Sequence, residues 1–234
     1  MMKFGKLPAK VDGRTLRLES YLAADALPAM PAARDWTHGI DHYDDDPLGN
    51  DVVGDCAYAA PGHAITLASQ LAGLPSPVTA SGILAEYSKG TGYDPADPST
   101  DRGAYLLDVL KQWRNDGICG VKIEAFVSVA PENFDTAAAM FGGLIVGYSM
   151  PSTIWDQDIW DDVGAPGDAG GHAVYVHAVS PGLDVGDSWG LRKASTRRFR
   201  LRYSDEAYAV LMADRPAPSG LLLPALRADL GRLG

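Results

Sequence analysis

The chain contains only two cysteines, Cys56 and Cys119, in 234 residues. Two thiols cannot make a disulfide framework, and a reduced compartment is the default expectation. No run approaches the eighteen or so apolar residues of a membrane-spanning helix. The opening MMKFGKLPAKVDGR is basic but has no apolar stretch behind it, so no secretory signal is read. Cations are outnumbered, 20 Lys and Arg against 30 Asp and Glu, for a formal charge of −10. Nucleic acid and anionic membranes are therefore not expected partners, because both demand a basic field. Internal repeats, low-complexity tracts and a glycine-rich phosphate loop followed by a helix are all missing.

What remains is globular, with 46% hydrophobic and 21% charged residues. The 26 glycines and 16 prolines imply many turns. Residues 1–33 read as an extended arm over a surface. The stretch Cys56–Leu71 is apolar and Ala-rich, the pattern of a buried helix, with Pro61 expected to kink it or fall in its first turn. A second helix is predicted over 104–114, with Leu106, Leu107, Leu110 and Trp113 on one face and a stop at Asn115-Asp116-Gly117. Beyond Gly117 the period becomes two. Residues 121–127, 143–149, 173–179 and 198–203 are predicted strands, the last with Phe199, Leu201 and Tyr203 inward and its arginines outward. Helices first and strands second predict an α+β chain with two lobes facing across a cleft.

Three segments carry chemistry together: Asn50 through Gly54-Asp55-Cys56, then Gly171-His172-Ala173-Val174, then Asp187-Ser188-Trp189-Gly190. A thiol at a helix start sits in the positive end of the helix dipole, which favours thiolate. A histidine entering a strand could serve it as base and acid. A carboxylate farther along could fix the imidazole tautomer. An amide six residues before the thiol could join the Cys56 backbone N–H at an oxyanion. His63, seven residues after Cys56, is the rival base. His177 is predicted structural, Cys119 core filling, and His38 and His42 solvated. The acidic groups at 44–46 and 156–162 are expected to be solvated surface rather than a calcium site.

The order Asn50, G-D-C-A-Y, H-A-V, D-S-W-G resembles the papain-like cysteine peptidases. In that family a Gln precedes G-x-C-[WY], followed by H-A-V and N-S-W-G. The His and Asp lie 116 and 131 residues beyond the Cys, a little short of the family's roughly 130–150 for the His. The resemblance covers about residues 31–205. It implies a helical left lobe (about 50–117), an antiparallel, barrel-like right lobe (about 118–212) and a papain-like domain over 34–212, followed by a tail at 213–234. It implies Cys56, His172, Asp187 and Asn50 as catalytic residues, with Gly103, Gly171 and Trp189 along the substrate cleft. It implies a peptide or protein substrate, and no cofactor or metal. The departures are Asn50 for Gln, Asp187 for Asn, an acid at Asp55, and an arm too short for the usual inhibitory pro-domain. N-D-x-x-G-D-C, G-G-H-A-V and D-E-A-Y-A-V-L further resemble papain-like proteins encoded by phages and prophages, which implies a location in the bacterial cytoplasm or a phage virion. The corresponding alternatives are a catalytically degenerate virion protein, docked to other virion proteins through the arm, and a peptidoglycan endopeptidase.

Overall fold

The computed structural model describes residues 2–23 and 31–233. Residues 1 and 24–30 of the expected arm, and residue 234, lie outside the described residues.

The first α-helix is α1 (Cys56–Leu71), and every residue from Cys56 to Leu67 is buried. That all-round burial is what its apolar, Ala-rich composition calls for. Pro61 does not end it. The helix runs on through the proline, which forgoes one backbone donor inside a packed interior.

Helix α2 (Ala80–Thr91) starts on a Thr79 side chain that accepts from the Gly82 amide, and ends at Gly92 in the left-handed region. Helix α3 (Leu106–Asn115) buries Leu106, Leu107, Leu110 and Trp113 as its periodicity predicts. The Tyr58 hydroxyl donates to Gln112 across α1 and α3. Gly90 of α2 lies so close that a Cβ there would overlap the same hydroxyl. These contacts lock the three helices into one layer.

The second layer is an open antiparallel sheet. Its order is β2 (Ile123–Ser128), β7 (Ser204–Met212), β3 (Leu144–Met150), β4 (Gly170–Ser180), β5 (Leu183–Ser188) and β6 (Leu191–Thr196), with the short β1 (Arg34–Asp35) also pairing with β4. The sheet does not close on itself, so the barrel-like lobe is an open, curved sheet rather than a barrel. One of its faces carries Ala173, Tyr175 and Tyr208 against α1 and α3. The other packs Val146, Val174 and Val176 with Phe134 of α4 (Phe134–Phe141), Trp160 and Trp189.

Two local expectations are corrected. Residues 198–203 are not a strand but belong to a helix, α5 (Arg197–Tyr203), capped by the Thr196 side chain accepting from Phe199. Phe199 and Tyr203 are one helical turn apart and buried with their rings 4.8 Å apart, Arg200 is buried, and Leu201 is 59% exposed. An alternating R-F-R-L-R-Y fits either period; the cap and the i, i+4 pair decide for the helix. Phe199→Ala is therefore expected to cost about 3–5 kcal/mol, and Leu201→Lys to stay within about 0.5 kcal/mol, by urea unfolding. An inward Leu201 would reverse that ranking. The tail at 213–234 also carries a helix, α6 (Leu223–Leu233), whose Leu226 is buried.

The described part of the arm lies on the chain's own surface. The Ser128 amide donates to Leu16, Leu222 donates to Tyr21, and the Tyr21 hydroxyl reaches Asp229 of α6.

Candidate active site

Cys56 opens α1 and its side chain is fully buried. Its sulfur accepts from the backbone amide of Ala173 at 3.4 Å, so the helix start and the start of β4 meet at this point. His172 precedes that amide. Its Nε2 is hydrogen-bonded to Ser188 Oγ at 2.7 Å, and its Nδ1 is buried without a partner. Trp189 stacks on the imidazole with centroids 4.3 Å apart, and Trp160 meets the ring edge-on.

The position of Trp189 has a backbone cause. β5 and β6 are joined by the two residues Trp189 and Gly190, both with positive φ, +55° and +75°. A two-residue hairpin matched to strand twist needs positive φ at both positions. Gly190 accepts this freely, whereas a tryptophan there is strained, by about 1–2 kcal/mol. The strain is offset by burial of the indole over His172 and its N–H bond to the Lys3 carbonyl.

Asp187 does not orient His172. Successive strand residues face opposite ways, and Asp187 faces α1. There it accepts a short hydrogen bond from the Tyr43 hydroxyl, lies 3.3 Å from His177 Nε2 and 3.9 Å from His63 Nδ1. Ser188, one residue on, takes the place beside His172. Burial works against ionisation of Asp187, but His177, His63 and Tyr43 hold it below the usual carboxylate range. Burial likewise opposes charge on His177, which Asp187 and Asp35 nevertheless raise. His177 lies in a buried network, with Asp187 and His63, that ties the sheet to α1. His63 belongs to that network rather than to the thiol, which removes it as rival base. Among the described residues no group of three His, Cys, Asp or Glu is arranged to hold a metal ion.

The buried side-chain amide of Asn50 spends one of its two protons on the Val53 carbonyl at 3.1 Å, which shapes the loop before α1. Asp55, beside the thiol, is fully buried with both carboxyl oxygens unpartnered, and burial pushes it up to about 8. This upward shift favours the protonated acid, which lessens the negative charge beside Cys56. Burial also pushes the Cys56 thiol up to about 11, despite the opposing Ala173 amide, and drives His172 down to about 3. The resting pair is a neutral thiol and a neutral imidazole.

The arm lies over this pair, although its Gly5 amide and Lys6 charge themselves oppose the rise in the thiol. Residues 3–7 run through the groove between the layers. The Gly5 and Lys6 amides both donate to the Gly171 carbonyl, at 3.2 and 3.0 Å. On the opposite wall Leu7 donates to Ala104, and the Ala104 amide donates to Gly5. Phe4 packs on Trp155, Trp189 and His172, and Lys3 pairs with Asp101 at 2.8 Å. A Cβ at Gly5 would overlap the Gly54 carbonyl, one at Gly103 the Gly5 carbonyl, and one at Gly171 the Lys6 carbonyl. Gly103, Gly171 and Trp189 thus all lie against the arm in one groove. Ser188 is not singled out by the sequence, and the arm, read there as extended over a surface, gives no sign that it enters the groove. Ser188 was hidden beside the more obvious carboxylate, and the arm carries no local pattern.

No protein-family model matches the chain, and no curated protein matches it in sequence. Solved structures do. Xylellain, a cysteine protease from Xylella fastidiosa, is similar with a TM-score of 0.66 and 16% identity, over 90% of this chain and 96% of that one. The cysteine protease and lectin-like domains of Cwp84, a surface layer associated protein of Clostridium difficile, give 0.59 and 14%, over 91% and 56%. Digestive procathepsin L2 from Tenebrio molitor gives 0.53 and 12%, over 89% and 84%. With its helical layer, open antiparallel sheet and intervening groove, the chain has the fold of the papain-like cysteine proteases.

Proposed function

We propose that the protein is a thiol hydrolase of peptide or amide bonds, held latent by its own arm, with Cys56 as nucleophile and His172 as base. The observation that carries this is the placement of the Cys56 sulfur 3.4 Å from the amide that follows His172, whose Nε2 is held by Ser188 and whose Nδ1 is left without a partner. With the arm withdrawn, water reaches the pair, and the thiol proton passes to Nδ1. The sulfur then attacks the scissile carbonyl carbon, and the tetrahedral oxyanion is met by the Cys56 backbone N–H at the positive end of α1. His172 gives its proton to the leaving amine as the C–N bond breaks. Water, losing a proton to the same imidazole, hydrolyses the thioester and frees the thiol. Ser188 orients the ring, and Trp189 shields it from one side.

The test is alkylation and turnover on the full chain. A thiol-directed epoxide should modify Cys56 once the arm is displaced, with peptide cleavage lost in Cys56→Ala and His172→Ala. Ser188→Ala should lower kcat about 10–100-fold with little change in KM, whereas Asp187→Asn should act on stability before activity. Cleavage surviving in Cys56→Ala would rule the proposal out.

A second reading is favoured by the buried neutral thiol and the absence of a carboxylate or amide on His172: a catalytically degenerate scaffold or docking protein of a virion. It predicts no turnover in any arm-displaced variant and stoichiometric incorporation into particles. Nothing in the geometry favours a cell-wall endopeptidase over either.

A further inference from the structure

The arm does more than cover the thiol. The Lys6 side chain passes into a slot in the sheet and is wholly buried there. Its ammonium donates to Asp205 Oδ2 at 2.9 Å, Glu206 Oε1 at 3.1 Å and the Leu7 carbonyl at 3.0 Å, so all three of its protons are placed.

The slot is formed by side chains that do not depend on the lysine. Ser149 donates to Asp205 Oδ2 at 3.0 Å, and the Tyr208 hydroxyl donates to Glu206 Oε2 at 2.9 Å. Both carboxylates are therefore oriented by neighbouring hydroxyls. Gly147 supplies the space, since a Cβ there would stand 2.7 Å from Lys6 Cε and 2.7 Å from Glu206 Cγ. The entrance lies beside Gly171, whose carbonyl binds the Lys6 amide, in the groove that leads to Cys56.

Burying carboxylates is costly unless a cation accompanies them. A neutral side chain entering this slot would leave Glu206, only 6% exposed, facing Asp205 uncompensated. A lysine or arginine side chain supplies the missing charge and the donors together.

We infer that the slot bounded by Gly147, Asp205 and Glu206 is a specificity pocket for a lysine or arginine side chain of the peptide acted on, occupied in cis by Lys6. This rests on the hydrolase reading for the word "acted"; the selectivity for a basic side chain stands on the slot alone. The chain's overall charge of −10 would also draw basic peptides.

The experiment uses the full chain carrying Gly5→Val together with Lys6→Ala, which withdraws the arm from the groove and empties the slot. The readout is the rate of Cys56 alkylation by iodoacetamide in the presence of short peptides containing one lysine, or norleucine, its neutral isostere. Lysine peptides should protect Cys56 at concentrations at least about tenfold lower than norleucine peptides. Adding Asp205→Asn with Glu206→Gln should remove that preference, and so should Gly147→Ala, which narrows the slot without changing its charge. Equal protection by the two peptides, or no protection by either, overturns the inference. Cleavage of the same peptides is followed in parallel. Turnover with equal protection would leave the hydrolase standing and sink the pocket; selective protection without turnover would do the reverse.

Discussion

Replacing Gly5 by valine should raise the rate at which Cys56 reacts with iodoacetamide at pH 7.5 by at least about a hundredfold. A side chain at residue 5 cannot be placed with the arm docked, because its Cβ would overlap the Gly54 carbonyl, and backbone on both sides leaves no flexible group to give way. The arm would leave the groove from about residue 3 to residue 7, while its contacts from Leu16 to Tyr21 stay intact. The magnitude follows from the thiolate, the reactive form. With the thiol near 11, roughly one molecule in several thousand is ionised at pH 7.5; an ordinary solvated cysteine near 8.5 is about a tenth ionised. Release of steric cover adds to that ratio. Peptide mapping of the alkylated product identifies the thiol, and Cys119 serves as the internal control. Equal rates in the parent and Gly5→Val chains would show that the arm is not what suppresses the nucleophile, and the latency proposal would fall with it.

The second large effect belongs to Asp55. Its ordinary value of 3.8 is raised by burial to about 8, so the folded chain holds a proton there that the unfolded chain has released. Stability from this group is fully present below about pH 4 and is lost as pH climbs toward 8. Asp55→Asn replaces the protonated acid by a neutral near-isostere and should abolish the loss. The stability difference between variant and parent should therefore grow with pH across that window, by up to about 1.4 kcal/mol per unit. Asp184, raised to about 6 by burial against Arg200, contributes to both chains and cancels in the comparison. Urea unfolding midpoints at pH 4, 6 and 8 read the result. A difference that does not change with pH would mean that Asp55 is ionised in the fold and stands as an anion beside the thiol.

Several elements were legible from local pattern. The Ala-rich run from Cys56 to Leu71 became α1 residue for residue, because a helix apolar on every side can only be a buried one. The period-two segments around Ile145 and Val176 became the central strands β3 and β4. Misreading began where two periods fit the same letters. Residues 198–203 alternate like a strand, yet Phe199 and Tyr203 also pair as helix neighbours, and a threonine just before them supplies the cap. Pro61 is the sixth residue of α1, beyond the first turn, and the helix continues past it with its residues buried on every side.

The chain of letters determined which residues would open α1 and which would begin the strand beside it, because both depend on periodicity and on neighbours a few positions away. It could not decide which of Asp187 and Ser188 would face the imidazole. They are adjacent, a strand sends them to opposite sides, and only the pairing of β5 with β4 and the turn at Trp189 and Gly190 set which side is which. Nor could it show that Lys6 would lie between Asp205 and Glu206, nearly two hundred residues away. Contacts that distant in sequence leave no local signature, and arise only when the assembled groove offers one buried place for a cation.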